Sequence, residues 1–327
     1  MSRPLNVLIT NSKSGAFFFI ANGWVNAFKK AGHNALLWNG DMATWNKVNP
    51  DIYIGCSGWR QRFPRNAKLK VAIHTNPYCQ QKIQVPNGPI INESQDAINW
   101  TIAQKPNVVF GYGLQYHMDR YWSGWKRYAH VVGMPNAADV TKYYPVHAND
   151  DIDVGWVGGY WGYKAINLDR YLIPVAKKFK SKWYGWSGPQ GLWSGKVDDE
   201  EVVRKLFCSA KVCPVVVEPH TTTYGIDMPE RIFKVAACGG LVIADPVNEM
   251  ERYFTPGSVL VAKDPSEYMR LCEEWIKKPK QDRDEMAKKL TKEVLTKHTY
   301  YHRIQTILNA LGFSSQATEI DKLIAKL

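Results

Sequence analysis

The feature that most constrains this chain is a regular alternation of short apolar segments with longer helical ones. The helical patterns include residues 16–31, 199–207 and 229–238. The apolar segments lie at 5–10, 34–38, 51–55, 70–74, 107–111 and 131–137, and again at 152–159, 181–185, 212–217 and 241–245. Short apolar strands interleaved with helices predict parallel sheets that are flanked by helices. The predicted fold class is therefore α/β.

The chain is long enough for two such units, because its 327 residues are roughly twice a typical domain length. The polar segment 145–151 separates the two series of strands. We therefore predict an N-terminal Rossmann-like domain of residues 1–148 and a second domain of residues 149–305, facing each other across a cleft. A last helix, residues 306–327, is expected to pack back on the N-terminal domain.

Two classes of protein are disfavoured by the sequence. No apolar run is long enough to span a bilayer and the N-terminus lacks the layout of a signal peptide, so we expect a cytoplasmic protein. The six cysteines include no Cys-x-x-Cys pair and mostly lie in apolar surroundings. This pattern predicts buried thiols in a reducing compartment, with neither disulfides nor a metal site.

Positive charge is concentrated in the first half of the chain. Residues 1–150 contain 16 Lys and Arg against 7 Asp and Glu, whereas the remainder contains 26 against 23. The segment 59–70 begins with Trp59 and is rich in cations. These cations are Arg60, Arg62, Arg65, Lys68 and Lys70. Such a segment attracts polyanions or phosphates, and the alternative is a solvated face that keeps the protein soluble.

The most informative segment is 218–245, where a polar loop leads into a helical pattern and then into a strand that ends at Asp245. A loop before a helix presents free backbone N–H groups and the positive end of the helix dipole to a phosphate. Arg231 lies in the first turn of this helix and can add a planar, two-pronged contact. Gly239 and Gly240 are expected to end the helix.

This segment resembles the C-terminal domain of glycosyltransferases with the GT-B fold, in the branch that includes CgeB-like proteins and viral or phage glycosyltransferases. Their pattern is roughly Arg-x-Phe-Glu-x-x-Ala-x-Gly, followed by an apolar strand that ends in Asp, and Arg231 begins it here. Segments 135–145, 157–164, 195–197, 249–261 and 297–303 are similar to the same family. The resemblance implies a nucleotide-sugar donor, UDP-linked by preference and GDP-linked as an alternative, with no obligatory metal.

The resemblance also implies a donor site in the second domain. Gly158, Gly159 and Tyr160 would let the backbone approach the sugar diphosphate, and Lys164 and Arg231 would neutralise the leaving diphosphate. The other donor contacts that it implies are Tyr224 and Gly225 at the pyrophosphate, Trp186 and Val197 at the base, and Glu230 at the ribose. For Trp186, ordinary packing is the alternative.

One position departs from the family pattern. Lys234 stands where the family usually has the glutamate that holds the ribose hydroxyls. Either Glu230 on the preceding turn takes that role or the nucleotide is held differently. A third possibility is that Lys234 is an ordinary surface residue of a chain that has lost donor binding, which would leave a non-catalytic nucleotide- or DNA-binding protein on the same fold.

His74 is the candidate base for the acceptor hydroxyl, because it ends a predicted strand of the N-terminal sheet and an imidazole has a suitable pKa. A structural histidine is the alternative. Asp41, after the second strand, is the other candidate. Neither the stereochemistry of transfer nor the oligomeric state is predicted.

The N-terminal domain of this fold generally receives the acceptor, so its positive charge suggests a polyanionic acceptor. Phage DNA β-glucosyltransferases, which modify hydroxymethylated bases, are similar in length and order of elements. DNA phosphates would then contact the cations of 60–70, and Trp59 would stack on a flipped base. A glycan, lipid-linked or protein acceptor stays open, and a viral or phage enzyme would work in the host cytoplasm.

Overall fold

The computed structural model describes residues 2–11, 15–79, 83–85, 88 and 90–327. They fold into two compact units, each with its own parallel sheet. Unit 1 comprises the described residues of Met1–Gln84, Pro89–Asp139 and His298–Leu327. Unit 2 comprises those of Val85–Gly88 and Val140–Lys297. This architecture confirms the predicted α/β class.

Unit 1 is built on a six-stranded sheet in the described residues, with strand order β2-β1-β3-β4-β5-β6 and parallel pairing throughout. Its strands are β1 (Asn6–Thr10), β2 (Asn34–Trp38), β3 (Ile52–Cys56), β4 (Lys70–His74), β5 (Val108–Gly111) and β6 (His130–Gly133). Its helices are α1 (Gly15–Lys30), α2 (Met42–Val48), α3 (Gln95–Ala103), α4 (Gln115–Tyr121), α12 (Tyr300–Ala310) and α13 (Ser314–Ile324), with a 3-10 turn at Ser123–Arg127.

The strands of unit 1 form where the sequence predicted them, and the apolar runs of β3 and β5 are buried throughout, whereas β2 at the edge of the sheet is partly exposed. β3 is buried along its whole length, and the rings of Trp38, Trp45, Tyr53 and Phe63 pack together against one face of the sheet. The parallel order places the carboxyl ends of all six strands at one edge. Loops that follow β1, β3, β4 and β5 therefore meet there.

Unit 2 carries a five-stranded parallel sheet in the described residues, in the order β11-β10-β9-β7-β8. Its strands are β7 (Ile152–Val157), β8 (Ser181–Tyr184), β9 (Ala210–Val215), β10 (Val242–Ala244) and β11 (Leu260–Val261). Its helices are α5 (Gly162–Asn167), α6 (Ile173–Lys178), α7 (Glu200–Ser209), α8 (Pro219–Tyr224), α9 (Glu230–Ala237), α10 (Pro265–Lys277) and α11 (Lys280–Lys297), with a π turn at Leu168–Leu172 and a 3-10 turn at Met250–Arg252.

The predicted end of α9 at Gly239 and Gly240 is confirmed, whereas β9 ends earlier than predicted. α9 ends before Gly239, which has a φ of 75° that favours glycine, and Gly240 packs closely against a carbonyl of α7. β9 ends at Val215, two residues before the predicted end. The reason is that the backbone N–H of Val217 donates to the buried Asp245 carboxylate at 3.2 Å and leaves the strand ladder.

The unit boundaries lie away from the predicted ones. The first is at 139/140 rather than 148, because Tyr143 is buried in unit 2 and the carbonyl of Lys142 accepts a 3.0 Å hydrogen bond from Arg204. The second is at 297/298, so α12 belongs to unit 1 together with the last helix. Tyr300 of α12 packs against Gly23 and Trp24 of α1.

The cysteines of the described chain are all free, and four of the six are fully buried. In the same residues, no helix has the length and apolar character needed to cross a bilayer, and no three His, Cys, Asp or Glu side chains cluster as metal ligands do.

Candidate functional site

The loop after β7 approaches its neighbours so closely that it requires glycine. A β-carbon at Gly158 would overlap the guanidinium of Arg231, and one at Gly159 would overlap the indole of Trp186. The carbonyl of Gly158 accepts a 2.9 Å hydrogen bond from the indole N–H of Trp183, which is buried. Of the two glycines that the family resemblance implied at the diphosphate, Gly158 thus lies directly against the predicted arginine and Gly159 against the predicted base contact Trp186.

Arg231 is held at the carboxyl edge of the unit 2 sheet by two contacts. Its Nε donates to the carbonyl of Val157 at 2.5 Å, and its guanidinium carbon lies 3.5 Å from the ring centroid of Trp156. Burial lowers its pKa to about 10, so the group stays cationic at neutral pH. Its Nη1 is buried and has no hydrogen-bond partner among the described residues. A buried cationic donor without an acceptor fits an anionic ligand.

Lys164 supplies the second cation at this edge. It is buried, and its Nζ pairs with Glu218 at 2.8 Å. Burial lowers the pKa of Lys164 and the charge of Glu218 opposes that shift. Burial also raises the pKa of the fully buried Asp245 well above its usual range, which favours its neutral form. The edge thus combines the Lys164–Glu218 ion pair with the guanidinium of Arg231 and a carboxyl group shifted toward its neutral form.

The remaining predicted donor residues differ in their exposure and contacts. Trp186 is 60% exposed, which fits a ligand contact better than core packing. Tyr160 points its hydroxyl to Asp169 at 2.9 Å. Tyr224 ends α8, and Gly225 after it has a φ of 67°. Val197 lies half-buried in the loop before α7.

Lys234 is buried, so the interpretation of this residue as ordinary helix surface is wrong. Its Nζ pairs with Glu230 at 2.7 Å and lies 4.7 Å from the ring centroid of Tyr143. Burial alone would lower the pKa of Lys234, but the charge and hydrogen bond of Glu230 outweigh it and raise the pKa. The residue that departs from the family pattern is thus one half of a buried ion pair whose other half is the predicted ribose ligand.

His74 lies at the carboxyl end of β4 in unit 1, as predicted. Its Nδ1 is 3.5 Å from the Sγ of Cys56, and its ring stacks on Tyr112 with centroids 4.1 Å apart. Burial raises the pKa of the Cys56 thiol to about 12, so the thiol stays protonated. Asp41 has a different setting, because its carboxylate is the N-cap of α2 and accepts the N–H of Thr44 at 2.7 Å. This hydrogen bond lowers the pKa of Asp41.

The basic segment 59–70 does not form one patch. Trp59 and Arg60 follow β3 at the carboxyl edge of the sheet, whereas Lys70 begins β4 at the opposite edge. Arg65 also lies at the amino edge, where its guanidinium donates to the carbonyl of Lys105 at 3.1 Å. A connection between neighbouring parallel strands must cross the length of the sheet. The segment therefore places its cations at both edges of the sheet. Arg62 is exposed, and Lys68 lies near the amino end of β4.

Sequence reasoning missed Glu93, a carboxylate at the same edge as His74. It accepts a 2.5 Å hydrogen bond from the Ser57 hydroxyl and a 3.0 Å one from the backbone N–H of Asn76, so it ties together the loops after β3 and β4. Its sequence position, immediately before the N-cap Ser94, looks like an ordinary helix start.

Sequence reasoning also missed His220 in unit 2. Its Nε2 lies 3.1 Å from the carboxylate of Asp227, and its ring stacks on Tyr163 with an angle of 9° between the planes. Burial would lower the pKa of His220, but Asp227 together with Glu218 outweighs both burial and the opposing charge of Lys164. The pKa of His220 is consequently raised above 6.5.

This raised pKa gives a testable pH dependence. The protonated imidazole stabilises the fold below the pKa of the unfolded chain, and this contribution is lost as the pH rises through the folded pKa. We expect His220→Gln to cost more free energy of unfolding at about pH 6 than at about pH 9, measured by urea denaturation. His147→Gln, at an exposed position, is the control. Parallel pH profiles for wild type and His220→Gln would contradict the expectation.

Residues 161–309 match the family model described as glycosyl transferase-like. No curated protein matches the sequence. The family match covers a little under half of the chain, and it is to a glycosyltransferase-like family. The two parallel sheets flanked by helices are those of GT-B structures.

The solved structures with the same fold include the following three. Sucrose-phosphate synthase from Thermosynechococcus elongatus is 14% identical, with 99% of each chain covered and a TM-score of 0.60. T4 phage BGT, solved with its UDP-glucose substrate, is 11% identical, with 95% of this chain and 99% of that chain covered and a TM-score of 0.61. A β-glucosyltransferase described as a DNA modifying enzyme is also 11% identical, with 96% and 99% covered and a TM-score of 0.60. At these identities the likeness concerns the fold.

Proposed function

We propose that this enzyme transfers a sugar from a UDP-linked donor, with a GDP-linked donor as the alternative, to an acceptor hydroxyl. The observation that carries the proposal is the buried guanidinium of Arg231, whose Nη1 has no partner among the described residues, beside the Lys164–Glu218 ion pair at the carboxyl edge of the sheet. This arrangement fits the diphosphate of a nucleotide sugar. The UDP-glucose complex of T4 phage BGT, on the same fold, gives further support.

In this proposal the bond between the anomeric carbon and the diphosphate oxygen breaks, and a new bond forms between that carbon and the acceptor oxygen. Negative charge on the diphosphate grows as its bond breaks, so fixed cations stabilise the transition state more than the ground state. Arg231 and Lys164 have this role. Trp186 and Val197 would border the base, and Glu230, oriented by Lys234, would contact the ribose.

The acceptor hydroxyl loses its proton in the same reaction, and His74 is the proposed base. Its imidazole lies at the edge of the unit 1 sheet where open α/β folds bind ligands. We further propose a hydroxymethylated DNA base as the acceptor, supported by the excess of positive charge in residues 1–150. A glycan, lipid-linked or protein acceptor is the alternative that the experiment must separate.

The deciding experiment is a screen of UDP- and GDP-sugars against DNA that contains hydroxymethylcytosine or hydroxymethyluracil, with glycan acceptors in parallel. Nucleotide release reports turnover, and the mass of each acceptor reports transfer. Modified DNA with an added hexose would support the proposal. Nucleotide binding without turnover on any pair would instead support a non-catalytic binding protein.

The role of Asp41 can be tested separately, because replacement by serine preserves an N-cap but removes a catalytic carboxylate. Serine is also a good N-cap, so Asp41→Ser should keep both stability and transfer activity, whereas Asp41→Ala should lower the thermal midpoint. A large loss of kcat in Asp41→Ser at unchanged stability would contradict this and assign the carboxylate a catalytic role.

A further inference from the structure

Helices α7 and α9 of unit 2 end side by side, and each carries a cysteine at its end. Cys208 lies in the last turn of α7, and Cys238 is the C-cap of α9. The Sγ of Cys208 lies 3.4 Å from the carbonyl oxygen of Cys238, and the two thiols hydrogen-bond one another. The helix ends pack closely, because a β-carbon at Gly240 would lie 2.8 Å from the carbonyl oxygen of Phe207. The fold thus makes neighbours of two thiols that are thirty positions apart in the sequence.

The two thiols have different surroundings. Cys208 is partly exposed, and its Sγ accepts hydrogen bonds from the Cys238 thiol and from the backbone N–H of Val146. Arg204, one turn earlier on α7, and Lys280, at the start of α11, add positive charge. These contacts outweigh burial and lower the pKa of Cys208 to about 7. Cys238 is buried, and burial raises its pKa well above the usual range. The pair therefore combines an accessible thiolate with a protonated thiol behind it.

We propose that Cys208 and Cys238 form a thiol-modification site, in which Cys208 reacts with a hydroperoxide and Cys238 closes a disulfide. The Cys208 thiolate attacks one peroxide oxygen, so that an S–O bond forms, the O–O bond breaks and the other oxygen leaves as water or an alcohol. The Cys238 sulfur then attacks the sulfenic sulfur of Cys208. The S–S bond forms, the S–O bond breaks, and hydroxide leaves with the Cys238 proton as water. The two thiols lose two electrons, which the peroxide gains.

A third thiol near the end of α7 is protected from this reaction. Cys213 is fully buried in β9, its Sγ donates to the carbonyl of Phe207 at 3.7 Å, and burial raises its pKa. The modification site is also separate from the candidate donor site. Arg231 lies in the first turn of α9, seven residues before Cys238, which is about 10 Å along the helix axis. The disulfide would join the C-terminal ends of the two helices and leave the position of the guanidinium free.

The test treats the reduced protein with hydrogen peroxide, blocks the remaining thiols with iodoacetamide and maps the tryptic peptides without reductant. Trypsin separates the three thiols, because it places Cys208 in peptide 206–211, Cys213 in 212–231 and Cys238 in 235–252. We expect a disulfide between peptides 206–211 and 235–252. In Cys238→Ser the sulfenic acid has no resolving thiol, so peptide 206–211 should instead gain two oxygens as a sulfinic acid. The rate at which iodoacetamide alkylates Cys208 should rise with pH to a plateau, with its midpoint at the pKa of about 7.

Two control variants make the result specific. Cys79→Ser removes a partly exposed thiol of unit 1 and should leave the yield of the disulfide unchanged. Cys208→Ser should abolish the linked peptides while its thermal midpoint stays close to that of wild type. A link between peptides 206–211 and 212–231 would overturn the proposal, and so would intact thiols at a peroxide dose that oxidises free N-acetylcysteine. The wild-type peptide map decides the question even if a variant fails to fold, and it needs neither donor nor acceptor.

Discussion

Arg231→Ala is expected to lower kcat/KM for the nucleotide sugar by about a hundred- to a thousandfold, the usual cost of removing one preorganised donor from a site of developing charge. The buried guanidinium is fixed by Val157 and Trp156 before any ligand binds, so it needs no reorganisation during the reaction. Arg231→Lys keeps the charge but loses the planar fork and should recover only part of the rate. Steady-state kinetics of nucleotide release gives kcat/KM for the wild type and for both variants.

The control for this prediction is Arg270→Ala. Arg270 lies on α10 with a side chain that is 59% exposed, and it pairs only with Glu267 and Glu274 of its own helix in the ion pairs of the described residues. Its loss should leave kcat/KM within about twofold of wild type, because exposed helix pairs contribute little. If Arg231→Ala also stays within about twofold while its thermal midpoint is normal, the assignment of Arg231 to the diphosphate is wrong.

Trp183→Ala is expected to lower the free energy of unfolding by about 3–5 kcal/mol, the range found when a large buried aromatic ring is removed. Trp183 is 1% exposed, packs 5.7 Å from the ring centroid of Trp156 and donates its indole N–H to the carbonyl of Gly158. The substitution leaves a cavity under the glycine loop and removes the shorter of the two indole hydrogen bonds to the Gly158 carbonyl, the other being donated by Trp156 at 3.3 Å. Urea denaturation gives the stability, and UDP affinity should fall with it because the loop loses its anchor.

Two further variants make this result specific. Trp183→Phe fills most of the cavity but lacks the N–H, so its loss of stability should be clearly smaller than that of alanine. Trp161→Ala removes an indole that is 42% exposed and should change stability by no more than about 0.5 kcal/mol. A similar loss in Trp161→Ala and Trp183→Ala would show that the buried contact to Gly158 is not what stabilises the loop.

Much of the candidate donor site could be predicted because it is local in the sequence. Arg231, Gly239 and Asp245 lie within one helix and the strand after it, so their spacing already places them relative to one another. The role of Lys234 could not be read in the same way. Its burial depends on Tyr143, ninety-one positions earlier, and only the fold brings that ring to within 4.7 Å.

The positive segment shows where sequence proximity misleads. Residues 60–70 are neighbours along the chain, but they connect two parallel strands and must travel from one edge of the sheet to the other. Arg60 and Lys70 consequently belong to different surfaces. His220 was missed for the opposite reason. Its ring stacks on Tyr163, and Asp227 and Glu218 raise its pKa against the effect of burial, but the sequence does not show that these groups meet.

The sequence by itself determined the α/β class, strands β1 to β10 and the helix that carries Arg231, because apolar periodicity, caps and glycine stops act over a few residues. It did not indicate the two-residue strand β11. Only the tertiary structure decided the unit boundaries at 139/140 and 297/298 and the contacts among the rings of Phe17, Trp59, His74 and Tyr112. Those four rings are far apart along the chain. They meet because parallel pairing brings the carboxyl ends of β1, β3, β4 and β5 to the same edge of one sheet.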